Sequence, residues 1–217
     1  MFSILFRPTL VLLFLCYWFR IIFLFIFYKE ISMSVDFADW LMFFFTSLRF
    51  DMMVVGYISA SFLLVSFFGI FISFIRNYLS SILKFIFSAA IFILTFISIL
   101  DVQHFRLFKD RINSSGLQFL SSFQINFDFF FWITAFIYLY FGYSSFKKIS
   151  RIKPFKLEKV GILSWLFAFL FTATIIRSSF GEHHLDLRNA EVTQSDQLNI
   201  VIIPSAYAFD QAIRNRR

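Results

Sequence analysis

Thr9-Leu-Val-Leu-Leu-Phe-Leu-Cys-Tyr-Trp-Phe-Arg-Ile-Ile-Phe-Leu-Phe-Ile-Phe-Tyr28 is an apolar run broken by a single charge, Arg20. A run of roughly 20 such residues matches the hydrocarbon thickness of a bilayer. Inside lipid the backbone has no water to bond, so the run must be helical. It follows Arg7-Pro8, and its length, with no small-residue cleavage pattern after it, marks an uncleaved anchor rather than a secretory signal. Its cysteine, Cys16, is the only one in the chain and therefore forms no internal disulfide. Leu15 before it is too bulky for a lipoprotein cleavage site, so Cys16 reads as a small packing residue.

Four more runs of this kind follow. The expected spans are 9–28, 52–75, 82–100, 126–144 and 160–176. With 59% hydrophobic residues and 38 phenylalanines in 217 positions, most of the chain must be solvated by lipid. The expected fold is an all-α membrane protein of five transmembrane helices, interfacial amphipathic helices and a polar C-terminal tail. Residues 1–177 form the membrane domain and 178–217 a linker.

The net charge of +7 would suit nucleic acid if it were spread over a water-soluble surface. It is not. Lys147, Lys148, Arg151, Lys153, Lys156 and Lys159 fall between the fourth and fifth runs, opposed only by Glu158. Arg76 and Lys84 flank the turn between the second and third. The segments on the other side balance their charge, with Glu30, Asp36, Asp39 and Asp51 beside Lys29 and Arg49. Basic excess marks cytoplasmic loops. The N-terminus is therefore expected inside and the tail outside, with the basic loop facing anionic lipid heads. Nucleic acid is excluded as a partner.

Between the spans, Asp36 to Ser47 reads as an interfacial helix, with Trp40 at headgroup level. Asp51 then falls in the first turn of the second span, where it favours the positive helix end. After Asp101, the residues Phe105, Phe108 and Ile112 make one apolar stripe, expected to lie along the outer membrane–water boundary or to pack against a neighbouring domain. In the tail, Leu198 to Ile203 is a short apolar run stopped by Pro204, and a surface helix capped by Ser205 follows.

Little of this is catalytic. Arg20 is costly in lipid and needs protein, water or a lipid head, and Asp128 is a candidate partner. His183 and His184 are adjacent and lack the i, i+4 spacing that aligns two zinc ligands, and His104 stands alone. No glycine-rich phosphate loop and no nucleophile–histidine set is present, so no catalytic, metal or cofactor residue is assigned.

Several pieces in order resemble one family. Leu48-Arg49-Phe50-Asp51 opening the second span is similar to the L-R-F-D stretch of lipoteichoic acid synthase-like proteins, in the sulfatase/alkaline-phosphatase superfamily. Asp101 with Phe105, Phe108 and Arg111 resembles the juxtamembrane D…F…R segment of that family. Arg177 to Gly181, Ala190-Glu-Val192, Leu198-Asn199 and Pro204 to Tyr207 resemble its linker before the extracellular enzyme domain. The chain departs at Ser47 and Ser179, where the family pattern has glycine, and at Ser205 after its proline.

The resemblance implies a phosphoglycerol-type transferase acting on envelope glycans or glycolipids, in the cytoplasmic membrane of a bacterium. It also implies a threonine nucleophile and a divalent metal, typically manganese, in an outside domain that would lie beyond Arg217. On that reading the chain is the anchor of a truncated or split enzyme, inactive alone, whose catalytic domain acts in cis or trans. Arg49, Asp51, Asp101 and Arg111 would line the outer surface, together with Arg20 as candidates for lipid headgroup or domain-interface contacts. The alternative is a standalone, non-enzymatic membrane scaffold or partner subunit. A small transporter would need polar, broken helices meeting at mid-membrane, and only Arg20 points that way.

Overall fold

The computed structural model describes residues 2–31, 36–110, 129–151, 161–177, 190–193 and 196–214. Its helices, in chain order, are α1 (Phe2–Ile26), α2 (Tyr28–Ile31), α3 (Phe37–Phe71), α4 (Ser73–Phe108), α5 (Phe129–Ser150), α6 (Ile162–Arg177), α7 (Asp196–Ile202) and α8 (Ser205–Arg214). Among the described residues, α1, α3, α4 and α5 are long and apolar enough to cross a membrane. The expected fifth span, α6, has 16 residues, short of the roughly 20 a straight crossing needs.

Two expected boundaries are replaced by continuous helix. The interfacial segment at Asp36 and the second span are one helix of 35 residues, about 52 Å long. No glycine or proline separates Thr46 from Asp51, so nothing in the backbone ends the first segment. Asp36 opens the helix, its amide donating to Asp39 Oδ2 at 3.4 Å. Asp51 consequently sits in the helix interior rather than in its first turn.

The break falls at Ile72, in extended backbone, and α4 then runs 36 residues through the positions expected to be a turn. It also passes Asp101 without interruption. Val102, Gln103, His104 and Phe105 are buried, not laid on the membrane surface. The cause is ring packing: Phe105 meets Phe23 and Phe27 of the α1 end at 4.9 and 4.7 Å between centroids. Lys109, in the left-handed region at φ 56°, ends α4, and the carbonyl of Asp110 accepts from His104 Nδ1 at 2.9 Å.

Small residues bring the helices together, as expected where lipid removes the hydrophobic drive for association. A Cβ on Gly56 of α3 would lie 2.9 Å from Ile175 and Ile176 side-chain atoms of α6. One on Gly142 of α5 would lie 2.6 Å from Thr95 Oγ1 of α4. Thr9 and Ser59 hydroxyls meet at 2.9 Å between α1 and α3, and Tyr138 Oη donates to Phe19 O at 3.0 Å between α5 and α1. Most large side chains on the outer faces, such as Phe14, Phe45, Phe92 and Phe136, are exposed, which suits a lipid-facing surface.

Candidate functional site: an ionic clasp over the C-terminal segment

The charges scattered through the apolar runs converge. Arg20 on α1 and Asp51 on α3 are 5% and 1% exposed. They form a two-pronged pair, Nη1 to Oδ2 at 2.7 Å and Nη2 to Oδ1 at 2.8 Å. Antiparallel packing of α1 on α3 sets this register, since Thr9 meets Ser59 at the other end of the same interface. Arg20 lies about 20 Å along α1 from Arg7, well inside a hydrocarbon core of about 30 Å. A buried arginine needs its charge and its fork of donors matched, and a carboxylate does both.

The pair reaches a third element. Arg20 Nη2 also donates to the Ile202 carbonyl, at the C-terminal end of α7, at 2.9 Å. Free carbonyls at a helix C-terminus carry partial negative charge, so the guanidinium suits that end. Three residues on, Ser205 donates its hydroxyl hydrogen to Asp101 Oδ2 at 2.8 Å, and Asp101 is fully buried on α4. The tail is thus tied to α1 and α4, and through Asp51 to α3, by charged groups buried in the structure.

Packing supports the clasp. On α7, Leu198, Val201 and Ile202 are fully buried, at the i, i+3, i+4 spacing of one helix face, and α7 packs on α3. On α8, Tyr207 places its ring 5.5 Å from Phe50, and the helix packs on α4. Asn199 closes the preceding turn. Its Oδ1 accepts from the Thr193 amide and hydroxyl at 2.9 and 2.7 Å, and its Nδ2 donates to Thr193 O at 2.8 Å. Beside the pair lies a cavity of about 30 Å³, lined in part by Cys16, Ser98, Pro204 and Ser205, with room for a water molecule. Arg20 also lines this cavity, and its Nε has no hydrogen-bond partner among the described residues.

Of the five residues singled out in the sequence, Arg20, Asp51 and Asp101 gather around this clasp. Arg49 is half-buried on α3, two positions from Asp51 and hence on another face. Arg111, Asp128, His183 and His184 lie outside the described residues. Arg20 pairs with Asp51; the Asp128 considered for it is not among the described residues. Sequence reasoning missed the Ile202 carbonyl and the Ser205 hydroxyl. The available signal, that opposite charges inside membrane spans find each other, pointed to Asp51 but not to the carbonyl or the hydroxyl.

Among the described residues no group of three His, Cys, Asp or Glu side chains is placed to hold a metal, so the manganese implied by the resemblance has no fitting site there. No protein-family model, curated protein or solved structure matches the chain. Fold and site together define an all-α, multi-pass membrane protein whose outer faces contact lipid.

Proposed function

We propose that the chain is a non-enzymatic membrane scaffold that grips its own C-terminal segment and holds it at the outer face for a partner domain. The clasp carries this reading: Arg20, Asp51 and Asp101 fix Ile202 and Ser205. A tail held at several points presents whatever it carries at a set height and orientation. In this reading the membrane is the bacterial cytoplasmic membrane, the N-terminus is inside, and α6 is a fifth, tilted or recessed crossing. Supporting that crossing, Ser164 near the start of α6 accepts from the Phe2 amide, whereas Ile175 and Ile176 near its end meet Gly56.

A soluble fluorescent domain fused after Arg217, in vesicle-embedded protein, tests the scaffold. Slow anisotropy decay coupled to the vesicle is expected, becoming fast in Arg20→Met/Asp51→Leu. Equally fast decay in both proteins refutes the reading.

A second reading has its own support. Phe50, Asp51, Asp101, Ser205 and Tyr207, from the stretches that carry the resemblance to lipoteichoic acid synthase-like proteins, meet around the clasp. On this reading the clasp is the joint between the anchor of a phosphoglycerol-type transferase and its catalytic domain. The mass of an N-terminally tagged product from the native locus separates the two. A product several hundred residues heavier than 25.8 kDa favours the transferase, and one near that mass favours the scaffold.

A further inference from the structure

A groove of about 670 Å³ runs between α1 and α5 and shares no lining residue with the cavity at the clasp. Arg7, Val11, Phe14 and Trp18 line it from α1, at steps of four, three and four residues that keep one helix face. Phe141, Ser145 and Lys148 line it from α5 with the same periodicity, and Arg151 stands at its mouth. Its deep end is closed by Trp18 stacked on Phe141, with ring centroids 5.2 Å apart. All three cations lie at the other end. Among the described residues, no carboxylate lines the groove and no ion pair involves Arg7, Lys148 or Arg151.

Length identifies the occupant. From Arg7 to Trp18 the α1 helix rises about 16 Å, and from Phe141 to Ser150, next to Arg151, the α5 helix rises about 14 Å. Half the hydrocarbon core of a bilayer is about 15 Å. The groove therefore spans one leaflet, with positive charge at headgroup level and aromatic walls down to the midplane. Arginine and lysine there match the phosphate of an anionic lipid, and the apolar wall matches its acyl chain. We infer that this groove binds one anionic phospholipid of the leaflet on the N-terminal side of α1. This site is separate from the clasp and does not depend on the scaffold reading.

The test is native mass spectrometry of the full chain in detergent, titrated with palmitoyl-oleoyl phosphatidylglycerol or with phosphatidylcholine bearing the same chains. One phosphatidylglycerol per chain is expected, bound at least tenfold more tightly than phosphatidylcholine. Each of Arg7→Gln, Lys148→Gln and Arg151→Gln should weaken it about fivefold. Ser144→Trp, which fills the groove and keeps the cations, should also lower binding. Arg76→Gln/Lys84→Gln removes charge from α4, which does not line the groove, and should change nothing. The proposal is overturned if phosphatidylcholine binds equally, or if the Arg76/Lys84 variant loses as much as the groove variants. Displacement of the lipid by millimolar inorganic phosphate would likewise overturn it, since the site would then read an anion and not a lipid. All three single-charge variants alter exposed side chains, so their folding is checked by elution profile and helicity alongside.

Discussion

At the scale of the residue, the molecule turns on Arg20 and Asp51. Removing one member of a buried ion pair leaves the other uncompensated, at a cost of about 3–5 kcal/mol. Asp51→Ala should therefore lower the thermal midpoint of the detergent-solubilised protein sharply. Arg20→Met/Asp51→Leu should recover most of that loss, because neither charge is left stranded. A double variant as unstable as the single one would mean that the pair supplies net stability rather than mutual compensation. Ser205→Ala is milder. It deletes one hydrogen bond to a carboxylate, worth about 1.5–3 kcal/mol, so amide exchange across α7 and α8 should speed up roughly 10- to 100-fold while α3 and α4 stay protected. Arg20 was legible as a problem needing a solution, since an arginine in an apolar run must be matched. Its solution was not legible: Asp51 looked like a first-turn residue only because the start of α3 was misplaced by four turns.

At the scale of the element, apolar length located the long helices and failed at their ends. Hydropathy falls where a helix leaves lipid, yet a helix ends only where its backbone is interrupted, and neither Leu48 to Asp51 nor Asp101 to Phe108 holds a breaker. What keeps α4 helical through Asp101 is tertiary: Phe105 against Phe23 and Phe27, which no local pattern reports. Helix contacts follow a different cue, the small residue. Gly142→Leu should force α4 and α5 apart and destabilise by about 1–3 kcal/mol through overpacking. Gly161→Ala, with open space around its Cβ position, should be neutral in the same thermal assay. Equal effects would show that Gly142 does not set the α4–α5 distance.

At the scale of the whole molecule, the sidedness of the tail decides between four and five crossings. In a Cys16→Ala background, Ile213→Cys should react with an impermeant maleimide from outside intact cells. Asn77→Cys, beside the α3–α4 turn, should react only after permeabilisation. Labelling of both from one side would leave α6 as a re-entrant or surface helix. Charge bias in the sequence supports the sidedness, but the docking of the tail into the bundle was invisible to it. A tail of mixed polarity reads as a linker, and only the partners buried in α1, α3 and α4 turn α7 into a packed element.

The clasp also orders events in time. Arg20 is joined to a carbonyl 182 positions later in the chain, and Asp101 to a hydroxyl 104 positions later. During synthesis the helices that carry the charges enter the membrane long before Ile202 and Ser205 leave the ribosome. Until then Arg20 lacks the Ile202 acceptor and Asp101 lacks the Ser205 donor, while Asp51 already matches the Arg20 charge. Arrival of α7 and α8 completes both contacts, so the segment that locks the charged groups is made well after the helices that carry them.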